Sequence, residues 1–144
     1  MPSMNKVIAA QITKEAERIN AQNMTLVQMI EEELDLPNLV FMDLVQESEL
    51  PQDNMTYVII ENGDYNHVVQ DQKKFLTETV TITFWSENRP NPTLDRLQLI
   101  FIAKQLKLHV QSSQNENVIL TDTSRVINMF TLTCTRGVKI QGVC

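Results

Sequence analysis

At 144 residues and 16.6 kDa, with 42 % apolar and 21 % charged residues, the chain has the size and composition of one soluble domain. Its net charge of −6 and sequence pI near 4.8 argue against bulk attraction to nucleic acid or to an anionic membrane surface. Gly63, Gly137 and Gly142 are too few and too scattered for a phosphate-cradling loop or a nucleophile elbow, and His67 and His109 are too distant for a local double-histidine zinc motif.

The order of elements carries more information. No apolar run approaches the ~20 residues of a bilayer span, and no leader peptide is expected. Residues 1–36 read as helical. Ser3 is a candidate cap, and Ile8, Ile12, Ala16 and Ile19 form one stripe. Asn20 to Asn23 reads as a polar break. Thr25 with Gln28 resembles a capping box ahead of Leu26, Ile30 and Leu34, so one bent helix or two both fit. Pro37 closes the region.

From residue 37 the period changes. Leu39 to Val45 is apolar at nearly every position, the pattern of a strand covered on both faces. After a polar loop from Gln46 to Thr56, two strand-like runs flank Asn62-Gly63, a strong hairpin signal that would oppose Val58 to His67 and Ile60 to Tyr65. In Phe75 to Trp85, Leu76, Val80, Ile82 and Phe84 share one face, and Thr77, Thr79, Thr81 and Thr83 the other. Phe130, Leu132 and Cys134 alternate with Thr131, Thr133 and Thr135 in the same way, which suggests neighbouring strands that pair threonine with threonine.

Between these strands, Asn91 as cap and Pro92 at the first position start a helix expected over 92–110. It has two apolar stripes: Leu94, Leu97, Phe101 and Leu108, and Leu99, Ile102, Ala103 and Leu106. The second is expected on the sheet or the N-terminal helix, the first against another subunit, although the two can exchange roles. The core is expected to contain Leu76, Val80, Ile82, Phe84, Leu97, Phe101, Phe130 and Leu132, with this helix against the apolar face of the sheet. Gln111 to Asn117 reads as a mobile loop and Arg136-Gly137 as a turn. The whole is expected to be a single α+β domain, 1–144: a helical region 1–36, then a mainly antiparallel sheet with one central helix over 37–144.

Candidate chemistry is sparse. Asp64, Tyr65 and His67 could form an acid–base group, but strand alternation puts Asp64 on the face opposite the other two. Glu61 and Asp64 beside Asn62 could attract a cation, yet no calcium-loop ladder is present. Cys134 falls on an apolar strand face, and Cys144 has no activating neighbour in the sequence. Two cysteines make no disulfide framework and suit a reducing compartment. Trp85 fits either a partner anchor or a core edge. No catalytic, metal or cofactor residue is assigned, and the chain is expected not to be an enzyme. The charge distribution is uneven: residues 31–71 hold eleven acids and no Lys or Arg, while residues 73–144 hold nine basic residues and five acids. Such a split is usual for a solvated face and also suits copies meeting acidic side to basic side.

The N-terminal amphipathic helix, the segment Thr79-Val80-Thr81-Ile82-Thr83-Phe84-Trp85, the helix from Leu94-Asp95-Arg96-Leu97 onward and the closing strands resemble the neck proteins of long-tailed bacteriophages, of the tail-terminator or tail-completion type. The resemblance implies a structural virion protein, assembled in the host cytoplasm, whose copies form a ring, commonly a hexamer, between tail tube and head connector. Its implied partners are copies of itself, the neighbouring neck, connector and tail-tube proteins, and double-stranded DNA that passes without tight binding. On this reading Glu47, Glu49 and Asp53 face the channel, and Leu94, Leu97, Phe101, Leu108, Arg125, Arg136 and Lys139 lie between subunits. The alternatives are a dimeric adaptor domain and, less favoured, a small enzyme.

Overall fold

The computed structural model describes residues 5–43, 47–120 and 123–140. Its first element is one unbroken helix, α1, Lys6–Glu33. The Asn5 side chain caps it by accepting from the Val7 amide at 2.8 Å; Ser3, the expected cap, lies outside the described residues. There is no break at Asn20 to Asn23. Those residues are polar because Gln22 and Asn23 face a buried arginine and accept from it. Nor does Thr25 start a second helix; its hydroxyl donates to the Ala21 carbonyl one turn back. Leu26 and Ile30 are buried, and the chain leaves the helix through Leu34 and a left-handed Asp35 before Pro37.

Strand β1, Val40–Met42, is shorter than expected and sits at the sheet edge, parallel to β2, Tyr57–Gln70; residues 44 and 45 of the predicted run are not among those described. A short 3-10 turn, Glu47–Glu49, lies between them. Asn62-Gly63 is not a turn. β2 runs through it and pairs antiparallel with β3, Lys73–Ser86, from Tyr57↔Trp85 to Gln70↔Lys73. The turn is Asp71-Gln72, two residues at φ 51° and 65°, the mirror-image geometry that matches strand twist. Gly63 (φ 143°) and Asp64 (φ 52°) instead form a bulge in β2. The resulting register places Val58 opposite Phe84 and Ile60 opposite Ile82, so apolar side chains meet across the pair. A turn at residue 62 would have set them against the polar segment after it.

Helix α2, Pro92–Gln105, starts as expected, with Asn91 accepting from the Leu94 amide. It ends five residues before the predicted limit, because Lys107 turns left-handed (φ 61°) and β4, His109–Ile119, begins. The predicted mobile loop at Gln111 to Asn117 is therefore strand. It pairs with β5, Val126–Val138, which also absorbs the predicted turn at Arg136-Gly137. Sheet order is β1-β2-β3-β5-β4, antiparallel except for β1 on β2. The threonine pairing is as expected: Thr79, Thr81 and Thr83 oppose Thr135, Thr133 and Thr131.

The opposite face of these strands carries the core. Val80, Ile82, Phe84, Phe130, Leu132 and Cys134 cluster with Leu26 and Ile30 of α1 and with Leu99, Ile102 and Ala103 of α2. The fold is α+β, its helices on one face of a mostly antiparallel sheet. Leu97 and Phe101 do not join the core, and Leu76 is only half-buried. α2 turns its Leu99–Ile102–Leu106 side inward, which leaves Leu94, Leu97 and Phe101 on its outer side.

Candidate interaction surfaces

α2 is apolar on two sides and covered on one. Leu94, Leu97 and Phe101 are 50, 48 and 62 % exposed, and the Lys104 ammonium stands 5.6 Å over the Phe101 ring. Leu108, counted with them in the sequence, is past the helix end and only 3 % exposed, so it is core and unavailable to another subunit. Three neighbouring uncovered apolar side chains on one helix form a candidate contact surface.

A second apolar surface was not legible as such. The last β3–β5 pair is Leu76↔Val138, and β1 covers β2 only at Val58 to Ile60. Beyond Leu76 the β2–β3 hairpin thus projects as a two-stranded arm with Val68, Val69 and Phe75 exposed around its turn. A third is a groove of about 550 Å³ between the C-terminal half of α1 and β1. Met24, Val27, Val40 and Met42 form its apolar lining, and Glu31 and Asp43 rim it.

The chain's buried charges hold these parts together. Arg136 Nε donates to Glu78 at 2.7 Å, its Nη1 to Gln22 and Asn23, and its Nη2 to Asn62 at 2.6 Å. It thereby links β5, β3, α1 and the bulge in β2. Arg125 holds Glu87 through Nε at 2.7 Å and also donates to the carbonyls of Gln52 and Asp53, which pins the segment before β2 to the start of β5. The Arg125 guanidinium and the Met55 amide beside Glu87 hold its carboxyl down at about 2, against an ordinary 4.5. Arg89 pairs with Asp95 and donates to the Leu34 carbonyl, joining α2 to the end of α1. Glu15 pairs with Arg18 and accepts from the Lys139 amide; the arginine, foremost, lowers its pKa.

These contacts revise two expected inter-subunit residues. Arg136 is 4 % exposed with its donors spent inside the chain, so it cannot serve a neighbour. Arg125 is also engaged internally, whereas Lys139 is exposed. Glu49 and Asp53 are exposed, with Glu47 in the same short turn as Glu49.

The candidate acid–base group does not assemble. The Tyr65 hydroxyl donates to Glu78 at 2.6 Å, and that carboxylate, foremost, raises its pKa; His67 is exposed opposite Leu76, and Asp64 sits exposed on the bulge. Glu61 and Asp64 flank the bulge as exposed carboxylates, and among the described residues no three His, Cys, Asp or Glu side chains converge as a metal site. Cys134 is buried, and burial pushes its thiol up to about 11; Cys144 lies outside the described residues. Trp85 is half-buried and stacks on Tyr57 with ring centroids 6.2 Å apart. Among the described residues no helix is long and apolar enough to cross a membrane. No protein-family model matches the chain, and no curated protein matches it either.

Proposed function

We propose that this chain is a non-enzymatic structural subunit of a long-tailed phage neck, of the tail-terminator or tail-completion type. Copies close into a ring, six in number, that ends the tail tube or joins it to the head connector and leaves a channel for DNA. The observation that carries the reading is the outer side of α2: Leu94, Leu97 and Phe101 stay uncovered in a chain whose other α2 stripe is fully used. Adjacent apolar side chains of this kind are covered in an assembly, by the next copy or by a neck neighbour. The element order of helix, strands, central helix and closing strands supports the phage assignment by its resemblance to that class.

Glu47, Glu49 and Asp53 belong on the channel wall in this reading. Carboxylates there repel the DNA backbone and let the duplex slide, whereas Lys or Arg would grip phosphates. Of the three basic residues expected between subunits, Lys139 is the one left available to an acidic neighbour. Light scattering coupled to size exclusion, followed by electron microscopy, tests the proposal. Rings of about six chains are expected. A monomer at every concentration, or a closed twofold dimer, would overturn the ring and favour an adaptor domain. In assembled rings, Glu47, Glu49 and Asp53 on the outer circumference would overturn the channel assignment.

A further inference from the structure

Deepening that reading, and resting on it for the ring, we infer that the β2–β3 arm of one copy docks in the α1–β1 groove of the next. The arm is poorly supported alone. Beyond Leu76 its strands pair only with each other among the described residues, and a lone two-stranded ribbon is marginal in water. It nevertheless exposes Val69 by 64 %, Phe75 by 45 % and Val68 by 43 %. A projecting element of that composition fits a receiving surface that is apolar at the centre and polar at the rim.

Charge decides between the two other apolar surfaces described above, the outer side of α2 and the groove. Lys73 and Lys74 follow the arm's turn, against one acid, Asp71. The outer side of α2 carries Lys104 over Phe101, a like charge for the arm. The groove is rimmed by Glu31 and Asp43, and residues 31–43 hold five acids with no basic residue. The arm therefore matches the groove and is repelled by α2. Arm and groove are different surfaces of one chain, so the contact is head to tail. Repetition of it closes a ring or extends a filament, whereas a reciprocal exchange of arms would close a twofold pair. The outer side of α2 is left for a second contact, with another copy or with a neck neighbour.

The test uses the full chain with Cys144→Ser, leaving the buried Cys134 in place. Val69→Cys on one chain and Met24→Cys on another are mixed and oxidised. A covalent dimer is expected from the mixture and not from either chain alone. In parallel, Lys73→Glu with Lys74→Glu should weaken self-association roughly tenfold or more by sedimentation, with Glu31→Lys and Asp43→Lys restoring it in the mixed sample. Val69 and Met24 are exposed and Glu31 and Asp43 lie at the groove rim, and thermal unfolding checks that each variant is folded. Rings whose mass and cross-linking ignore these changes overturn the arm assignment and leave the ring standing. A closed dimer cross-linked between residues 69 and 24 keeps the arm assignment and overturns the ring. A chain that remains monomeric and uncross-linked overturns both.

Discussion

Arg136 and Glu78 meet at 2.7 Å on the helix-covered face of the sheet, with side chains only 3 and 4 % exposed. The pair is fully supported: Tyr65 donates to the second carboxylate oxygen, and Gln22, Asn23 and Asn62 accept the remaining guanidinium protons named above. Removing one partner leaves a buried charge without its counter-ion. Arg136→Met or Glu78→Leu alone should each destabilise by roughly 3–5 kcal/mol, and the double variant by far less than the sum. Urea unfolding of the four chains measures the coupling. Additive losses would mean that the pair is not a unit.

Leu99 and Phe101 sit two residues apart on α2 with opposite fates, 1 and 62 % exposed. Leu99→Ala should cost roughly 2–5 kcal/mol of stability. Phe101→Ala should stay within about 0.5 kcal/mol in the isolated chain, as surface changes do, while weakening assembly. Thermal unfolding and particle mass, measured on the same samples, separate the two effects.

The depressed Glu87 carboxyl makes the fold acid-sensitive in a defined window. Its pKa is about 2 when folded against an ordinary 4.5, so the unfolded chain takes up the proton first as pH falls. The contribution is present in full above about pH 4.5 and is lost progressively down to about pH 2. Glu15, also lowered, acts in the same sense. Glu87→Gln should lower stability at neutral pH and flatten the acid side of the curve of urea midpoint against pH. An unchanged slope would show that Arg125 does not hold Glu87 in solution.

The hairpin turn can be checked by substitution. Asp71→Asn with Gln72→Gly gives the dipeptide that this turn geometry prefers and should stabilise by up to about 1 kcal/mol. Gly63→Ala meets no neighbouring atom within 4 Å, but its φ of 143° suits few other residues, so a loss of roughly 1–3 kcal/mol is expected. If the turn were at residues 62–63, the first pair of changes would bring no gain.

The periodic segments and the Asn91-Pro92 helix start were readable, and most of the remaining local punctuation was not. Thr79 to Thr83 and Thr131 to Thr135 announced their faces through alternation, and their pairing followed because like side chains oppose well. Asn62-Gly63 misled because a bulge and a turn ask the same of glycine, a positive φ; Asp71-Gln72 lacks the glycine that usually marks a tight turn. Gln111 to Asn117 resembled a loop because an edge strand exposed on both faces needs no apolar period. Gln22 and Asn23 looked like a helix break because their partner, Arg136, is 114 and 113 positions away. The uncovered side of α2 was foreseeable from two stripes on one helix. The arm was not, since its projection depends on where β5 stops.

The position of β5 also dictates an order of events during synthesis. Of the five strands described it leaves the ribosome last, yet it lies between β3 and β4, which are both made earlier. Until residues 126–138 emerge, β4 has no neighbour, β3 keeps one bare edge, and the core lacks Phe130, Leu132 and Cys134. The β2–β3 hairpin can form from local contacts while the chain is still growing, but the sheet closes only when its final strand inserts. A nascent chain therefore carries a bare β3 edge and a wholly unpaired β4 for the interval between the completion of β4 and the arrival of β5, the period in which it is most open to mispairing with its neighbours on a polysome.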